Sequence, residues 1–197
     1  FDRMPAKSLK HAGRTAPLPV PSRLLVRGVN WLGDAIMTTP ALLRLRAALP
    51  QTQITLLSHE KLAQLWQDHP AVDRVATFGS EDKLFQLSRR LRADRYDAAL
   101  LLPNSPRTAL EALFARIPCR VGGAARWRDW LLTGVVPHAS DRFIMRRRTT
   151  AEVAALIAEA DRAGHVRRGA YPSEAHQMHH YLRLAAAFGA DSTPLPP

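Results

Sequence analysis

The sequence contains little cysteine and no long apolar run, and each of these shortages excludes a class of protein or site. A single cysteine, Cys119, in 197 residues excludes an intrachain disulfide and a metal site built from several thiolates. No apolar run approaches the roughly 20 residues that a membrane-spanning helix needs, so none is predicted. Hydrophobic residues still make up 46% of the chain and charged residues 23%. This composition is near the globular average and excludes a disordered chain.

Acidic residues are also scarce. The chain has 28 Lys and Arg against 17 Asp and Glu, a formal net charge of +11. A positive field favours anionic partners, namely nucleic acid, anionic lipid headgroups or phosphorylated small molecules, without choosing among them. The basic residues do not cluster with aromatic residues in a recognised nucleic-acid-binding pattern, so no nucleic acid partner is expected.

The order of predicted elements indicates the fold class. Residues 1–22 are basic, contain four prolines and predict a flexible arm. Residues 23–190 predict one α/β domain, and residues 191–197 predict a linker or the point where a longer chain was cut. Strands are predicted over residues 23–29, 53–57, 72–78, 96–102 and 120–122, and helices over 35–49, 60–66, 82–93, 108–115, 150–164 and 175–188. Such alternation predicts a doubly wound parallel sheet, whose ligands bind beyond the carboxyl ends of the strands.

One proline interrupts the first predicted helix. Pro40 lies within the apolar pattern of residues 35–49. Either Thr39 caps a helix whose first residue is Pro40, or a longer helix kinks there.

The turn after the first strand, Asn30-Trp31-Leu32-Gly33-Asp34, is the first candidate site. Gly33 would allow close backbone approach and an unusual φ. Asp34 has two interpretations: a helix N-cap or first-turn carboxylate, or a general base that takes a proton from a substrate hydroxyl. The dinucleotide-binding pattern Gly-x-Gly-x-x-Gly is absent, and no cofactor is predicted.

The turn after the fourth strand is the second candidate site. Asn104, Ser105 and Arg107 could orient the hydroxyls and an acidic group of a sugar. The alternative is an Asx or Ser turn that caps the next helix. Arg120 and Arg126, the latter in an Arg-Trp-Arg run, could extend this candidate site. Each could equally be a solvated side chain.

Two further clusters have an ordinary and a functional interpretation. The basic segment of residues 142–148 is either a solvated loop or a contact with an anionic membrane. His176 and His180 have the i, i+4 spacing of metal ligands, and His179 lies between them, but surface histidines are the preferred interpretation and no metal is predicted. Cys119 is interpreted as a small buried hydrophobic residue.

Three segments carry a family resemblance: NWLGDAIMTTPALLRLRAALP, QITLLSHEKLAQLWQDHPAVDRV and RYDAALLLPNSPRTALEALFARIPCRVGG. Together they resemble the N-terminal half of the ADP-heptose:lipopolysaccharide heptosyltransferases of glycosyltransferase family 9, closest to the heptosyltransferase II branch. The resemblance covers about residues 23–190. The Gly-Asp turn followed six residues later by Pro40, and the Pro-Asn-Ser that follows the Tyr-Asp strand, are specific in combination.

The resemblance implies a GT-B fold, in which two Rossmann-like domains face each other across a cleft. It implies that Asp34 is the general base of an inverting transfer without a metal ion in the chemical step. The acceptor would be heptose- and Kdo-bearing lipid A. It would be contacted by the residues of the two candidate turns and by Arg120 and Arg126. The ADP-heptose donor would bind a C-terminal domain that this sequence lacks. The protein would then be cytoplasmic and peripheral to the inner face of the cytoplasmic membrane, and this chain alone would be inactive.

Two alternatives remain open. A related family-9 transferase could act on another anionic sugar acceptor. A non-catalytic α/β module could bind a phosphorylated or anionic sugar ligand, or a membrane surface, without turnover.

Overall fold

The computed structural model describes residues 18–125, 127–138, 149–163 and 176–193. These residues contain a six-stranded parallel sheet. The strands are β1 (Arg23–Arg27), β2 (Gln53–His59), β3 (Arg74–Phe78), β4 (Ala98–Leu101), β5 (Cys119–Gly123) and β6 (Gly134–Val136). Their order across the sheet is β3-β2-β1-β4-β5-β6, and every pair is parallel. This is the strand order of the Rossmann fold, with β1 at the centre.

Helices cover both faces of the sheet, so the prediction of a doubly wound sheet is confirmed. The α-helices are α1 (Leu32–Ala48), α2 (Leu84–Ala93), α3 (Pro106–Phe114), α4 (Thr150–Ala163) and α5 (Gln177–Ala186), and 3₁₀ helices span Glu60–Trp66 and Asp129–Leu131. None of the helices in the described ranges combines the length and the hydropathy needed to cross a bilayer.

Two hydrophobic cores flank the sheet. Successive residues of a strand point to opposite faces, so Leu24 and Val26 enter one core and Leu25 enters the other. Helices α1 and α5 close the first core, and α2 and α3 close the second. The strands are apolar on both faces for this reason, as expected for a parallel sheet.

Helix α1 is longer than the apolar pattern predicts. It begins at Leu32 and continues through Pro40, so the alternative of a helix starting at Pro40 with a Thr39 cap is wrong. The proline has no N–H to donate to the carbonyl of Ile36, one turn earlier. At the neighbouring position, the hydroxyl of Thr38 donates to the Ala35 carbonyl at 2.6 Å. The early start of the helix places the Gly-Asp pair inside its first turn.

The described residues form two compact units. The first contains the sheet up to residue 138 together with residues from 177 onward, and the second contains the residues between them. In the second unit, α4 begins with a capping box: the Thr149 backbone N–H donates to the Glu152 carboxylate at 2.7 Å. In the first unit, Gly189 lies three residues after the end of α5 and has φ of 83°, in the left-handed region that favours glycine.

The sixth strand was not predicted. Residues 134–136 pair with β5 at the edge of the sheet, and all three are only half-buried. A three-residue edge strand is too short to give a detectable apolar run, whereas the buried central strands give longer ones. The predicted arm mostly precedes residue 18 and lies outside the described residues, and the domain limits of 23–190 stay a prediction.

Candidate active site

The carboxyl ends of β1 and β4 meet at the topological switch point of the sheet. Arg27 and Leu101, the last residues of these strands, are register partners. The chain leaves β1 into α1 on one face of the sheet and leaves β4 into α3 on the other. The two connections diverge and open a crevice between them, which is where ligands of such sheets bind.

Asp34 lies on the β1 side of this crevice. It is the third residue of α1 and is half-buried, so it is a first-turn carboxylate and not the N-cap, which is Trp31. Within the described part of the chain, no hydrogen bond or ion pair engages the Asp34 carboxylate. The carboxylate lies beside the partial positive charge of the helix N-terminus. A carboxylate in this position can accept a proton from a bound hydroxyl group.

Tyr181 of α5 lies close enough to Asp34 for an electrostatic interaction between the two side chains. Burial raises the pKa of the Tyr181 phenol, and the negative charge of Asp34 raises it further, whereas a hydrogen bond with Gln177 lowers it. The Tyr181 side chain is almost fully buried. The part of α5 that contains Tyr181 therefore lies beside Asp34.

The backbone around Asp34 is open to a ligand. No side chain caps the N-terminus of α1, and Trp31 and Leu32 are 77% and 56% exposed. Asn30 is also exposed. Gly33 does not have the predicted unusual φ, because it lies within the helix and Gly189 is the glycine with positive φ in the described ranges. A Cβ at Gly33 would meet no atom within 4 Å, so the fold does not require glycine there.

Asn104 and Ser105 lie on the β4 side of the crevice, as predicted. Ser105 occupies the N-cap position of α3 but makes no capping hydrogen bond with its side chain, so the interpretation of Ser105 as a side-chain cap is not supported. Both helices that start at the switch point, α1 and α3, therefore begin without a side-chain cap. Uncapped backbone N–H groups at helix N-termini are donors suited to an anionic group.

Arg128 holds the β4 turn in place. Its guanidinium is fully buried and donates to the carbonyls of Pro103 and Gly123, both at 2.9 Å, and to Oδ1 of Asn104 at 2.7 Å. Because the amide oxygen of Asn104 is engaged, its NH₂ group is the part left to face a ligand. Burial lowers the pKa of Arg128, and the charge of Asp129 offsets part of that shift.

A buried ion pair joins the end of β1 to α3. Nε of Arg27 donates to the carboxylate of Glu111 at 2.9 Å, and both side chains are almost fully buried. Burial lowers the pKa of Arg27, and the charge and hydrogen bond of Glu111 counteract it. Arg27 also packs 4.0 Å from the ring centroid of Phe78 and contacts Oδ1 of Asn30 at 3.4 Å. The pair thus links β1, α3 and the candidate turn.

Arg107 joins the same network from the surface. Its Nε donates to the Glu111 carboxylate at 3.2 Å and its Nη2 donates to the carbonyl of Asp82 at 2.6 Å, while half of its side chain is exposed. Glu111 therefore lies between two arginines, and the cluster carries one excess positive charge. This charge lies at the N-terminus of α3, beside Asn104 and Ser105.

Arg120 does not join this cluster. It is the second residue of β5 and pairs with Ala99, so it lies toward the amino ends of the strands. Its guanidinium donates to the carbonyls of Leu131 at 2.9 Å and Ile117 at 2.6 Å. These hydrogen bonds support a structural role, and the expected contact of Arg120 with an acceptor stays a prediction. Arg126 and the basic segment of residues 142–148 lie outside the described residues.

Sequence reasoning missed the packing around His180. This histidine is buried, so the expectation of surface histidines is wrong for it. A Cβ at Gly123 would lie 2.9 Å from Cε1 of His180 and 3.0 Å from Oδ1 of Asn104, so only glycine permits this approach. The His138 ring lies 6.2 Å away, centroid to centroid. The available signal was the helix period, which places His180 one turn before the buried Leu184.

No metal site accompanies these groups in the described ranges. No cluster of three or more His, Cys, Asp or Glu side chains there could hold an ion. Cys119 is half-buried at the start of β5, and burial raises the pKa of its thiol, in line with the predicted hydrophobic role.

Known relatives of the chain are heptosyltransferases. It is 32% identical over 119 residues to lipopolysaccharide heptosyltransferase 2 of Escherichia coli, which is 57% of this chain and 34% of the relative. It is 28% identical over 134 residues to lipooligosaccharide heptosyltransferase 2 of Haemophilus ducreyi, which is 66% of this chain and 38% of the relative. The predicted resemblance is confirmed. The chain thus spans little more than a third of these heptosyltransferases, and no family model matches it.

The solved structure of E. coli ADP-heptose lipopolysaccharide heptosyltransferase II has the same fold. It matches with a TM-score of 0.59 and 27% identity over 88% of this chain and 44% of that structure. This neighbour is a GT-B glycosyltransferase, so the Rossmann-like sheet corresponds to part of a GT-B fold.

Proposed function

We propose that this chain supplies the acceptor side of a glycosyltransferase that transfers heptose from ADP-heptose to the inner core of lipopolysaccharide. The observation that carries the proposal is Asp34. Its half-buried carboxylate lies in the first turn of α1 at the switch point and is free of hydrogen bonds within the described residues. The heptosyltransferase resemblance supplies the sugar and the acceptor class.

The proposed reaction needs one base and one leaving group. A carboxylate oxygen of Asp34 takes the proton from an acceptor hydroxyl, and the hydroxyl oxygen attacks the anomeric carbon of the donor. The bond from that carbon to the diphosphate oxygen breaks, ADP leaves with the electron pair, and the configuration inverts. Residues beyond those described here would hold ADP-heptose, and no metal ion takes part in the proposed chemical step.

The charges around the crevice support an anionic acceptor. Two helix N-termini without side-chain caps lie at the two strand ends, and the half-exposed Arg107 lies at the second. Guanidinium forks and free backbone N–H groups bind carboxylates and phosphates. Asn30, Trp31, Gly33, Asn104 and Ser105 would contact the sugar. Arg126 stays part of the proposal, although it lies outside the described residues.

The acceptor class places the proposed reaction at a membrane. Kdo- and heptose-bearing lipid A is lipid-anchored, so the protein would be cytoplasmic and work at the inner face of the cytoplasmic membrane. The net charge of +11 favours an anionic surface there.

A binding module without turnover is the second candidate. The base can act only when a donor is held beside the acceptor. In this version the same crevice binds a phosphorylated or anionic sugar and releases it unchanged. The third candidate function is that of a family-9 transferase that acts on another anionic sugar acceptor at the same site.

The test is a transfer assay on the protein from the complete natural reading frame. ADP-heptose and heptose-deficient lipopolysaccharide are the substrates, and released ADP and the mass of the product are measured. We expect stoichiometric ADP release and a mass gain of one heptose. Acceptor binding without ADP release would favour the binding module, and transfer to a different anionic sugar would favour the other family-9 acceptor.

A further inference from the structure

The loop that follows β5 presents two exposed tryptophans beside the candidate crevice. Trp127 lies four residues after Gly123, the last residue of β5, and the strand order places β5 next to β4. Adjacent strands of a sheet are about 4.8 Å apart, so this loop leaves the sheet beside the turn that carries Asn104 and Ser105. Trp127 and Trp130 are 54% and 76% exposed. Exposed apolar side chains grouped beside a crevice indicate a binding surface.

Hydrogen bonds hold this loop in one conformation. The Asp129 carboxylate accepts from the Ala125 N–H at 2.7 Å, and the Arg128 N–H donates to the Ala125 carbonyl at 2.8 Å. The buried guanidinium of Arg128 donates to Oδ1 of Asn104 at 2.7 Å, which joins the loop to the β4 turn. Trp127 directly precedes Arg128. A side chain on a loop that is already ordered loses less entropy when it binds a ligand.

The face of the Trp127 indole is available to a ligand. Among the residues that the structure describes, no aromatic ring stacks on it and no guanidinium lies over it. Trp130 has a different role, because its Nε1 donates to the carbonyl of Trp127 at 3.2 Å. Trp130 therefore helps to fix the backbone that carries Trp127.

A second exposed indole lies on the other side of the β4 turn. Trp31 is 77% exposed and follows β1, which pairs with β4 on the side opposite to β5. The strands β1 and β5 are therefore about 10 Å apart, twice the spacing of adjacent strands. Asn104 follows the strand between them, and Asp34 lies three residues after Trp31. This spacing admits one sugar ring with an aromatic face about 4.5 Å away on either side.

We propose that the Trp127 indole is a stacking platform for the acceptor sugar that lies beside Asn104, and that it selects acceptors by the shape of their ring face. The C–H groups on one face of a pyranose are apolar and carry partial positive charge, whereas the face of an indole carries negative charge. The hydroxyls at the ring edge are left for the Asn104 NH₂ group and for Asp34. The inference rests on the proposed function, in which the crevice holds a sugar acceptor, but it does not require a bound donor.

An acceptor titration without donor tests the proposal. The full chain is titrated with the delipidated core oligosaccharide of heptose-deficient lipopolysaccharide, and binding is measured by calorimetry. In the double variant Trp31→Phe with Trp130→Phe, Trp127 and the buried Trp66 are the remaining indole fluorophores. We expect binding to shift the emission to the blue and to protect it from acrylamide quenching. No binding, or binding that leaves emission and quenching unchanged, would overturn the proposal.

Three substitutions of Trp127 separate stacking from simple apolar contact. Phenylalanine keeps an aromatic face, leucine keeps apolar volume without one, and alanine removes both. We expect about tenfold weaker oligosaccharide binding for Trp127→Ala, at least about threefold weaker binding for Trp127→Leu, and a value within about twofold of the parent chain for Trp127→Phe. Binding by Trp127→Leu that equals that of the parent chain would contradict stacking.

Phe85→Ala is the matched control for these variants. Phe85 is 69% exposed, and it stacks on Phe114, the last residue of α3, whereas the crevice lies at the first turn of that helix. Its oligosaccharide affinity should equal that of the parent chain. An equal loss of affinity in Phe85→Ala and Trp127→Ala would overturn a specific role of Trp127.

Two other occupants of an exposed indole are tested on the same loop. ADP in place of the oligosaccharide should leave the acrylamide quenching of Trp127 unchanged, and protection by ADP at the same concentration would overturn the sugar as the preferred ligand. Sedimentation should give the same mass for the parent chain and for Trp127→Ala. A dimer that only the parent chain forms would assign the indole to a second copy and would also overturn the proposal.

Transfer kinetics on the protein from the complete natural reading frame separate this platform from the proposed function. Trp127→Ala should raise KM for the acceptor about tenfold and lower kcat by a smaller factor, because the lost contact serves binding. A protein whose Trp127 is protected by the oligosaccharide but which transfers no heptose would contradict the proposed function and support the platform. Heptose transfer with the same acceptor KM in Trp127→Ala and in the parent protein would contradict the platform alone.

Discussion

At the residue scale, two buried arginines determine the geometry of the candidate site. Arg27 is neutralised by Glu111, and Arg128 is held by carbonyls and the Asn104 amide. A buried guanidinium is costly unless charge or hydrogen bonds compensate for lost water. Each arginine therefore fixes the loop that satisfies it, and those loops carry the candidate ligand contacts.

The ion pair gives the first prediction. Glu111→Gln keeps the shape of the side chain but leaves Arg27 buried without a counter-charge. We expect the free energy of unfolding to fall by about 3 kcal/mol or more, measured by urea denaturation. The exposed Glu81→Gln is the control and should change it by less than about 0.5 kcal/mol. Equal transitions for the two variants would mean that the buried pair does not stabilise the fold.

A histidine gives the second prediction. Burial lowers the pKa of His69, and its Nδ1 accepts a hydrogen bond from the Ala71 N–H at 3.2 Å, which needs the neutral ring. The unfolded chain therefore binds a proton more readily, so acidification below the ordinary histidine pKa of about 6.5 should destabilise the fold.

Thermal denaturation between neutral and mildly acidic pH measures this effect. In His69→Asn, whose side-chain oxygen can accept the same hydrogen bond, the fall in melting temperature over that range should be smaller than in the parent chain. An identical pH dependence in the two proteins would show that His69 does not contribute to it.

At the element scale, α1 connects the core to the site. Its buried face packs on the sheet and on α5, and its exposed first turn carries Asp34. Pro40 lies between these two parts and removes one hydrogen bond from the helix. The helix end that carries the candidate base is therefore joined to the packed end by a weakened turn.

The proline gives the third prediction. Pro40→Ala restores an N–H donor for the Ile36 carbonyl and removes the clash of the ring with the preceding turn. We expect an increase of about 1–3 kcal/mol in the free energy of unfolding. Denaturant titration of the two chains measures the change. A loss of stability would indicate that the core is packed around the shape that proline imposes.

At the scale of the whole molecule, the sequence predicted the sheet better than the site. Strands such as residues 53–57 are buried on both faces, so their apolar runs stand out, and the two turns after β1 and β4 followed from parallel-sheet geometry. The Arg27–Glu111 pair was not predictable, because its members are 84 positions apart and only the folded sheet brings them together. The carbonyl partners of Arg120 were not predictable either, because Leu131 lies 11 positions further along the chain.

The helix C-termini illustrate the same limit. Arg95 and Arg116 look like ordinary surface charges in the sequence. Both line one groove and have a left-handed backbone conformation, which follows from the way α2 and α3 end side by side. Asp34 could be identified as a candidate from the sequence, because a Gly-Asp pair after a buried strand is a local feature.

The central claim is that Asp34 is the catalytic base, and the kinetics of Asp34→Asn in the complete natural protein test it most directly. Asparagine keeps the size of the side chain but cannot take the proton. We expect kcat for heptose transfer to fall by about 10²–10⁴-fold, with acceptor affinity measured by calorimetry nearly unchanged. A kcat within a few-fold of the parent value would contradict the account, because the crevice would then bind the acceptor without activating it.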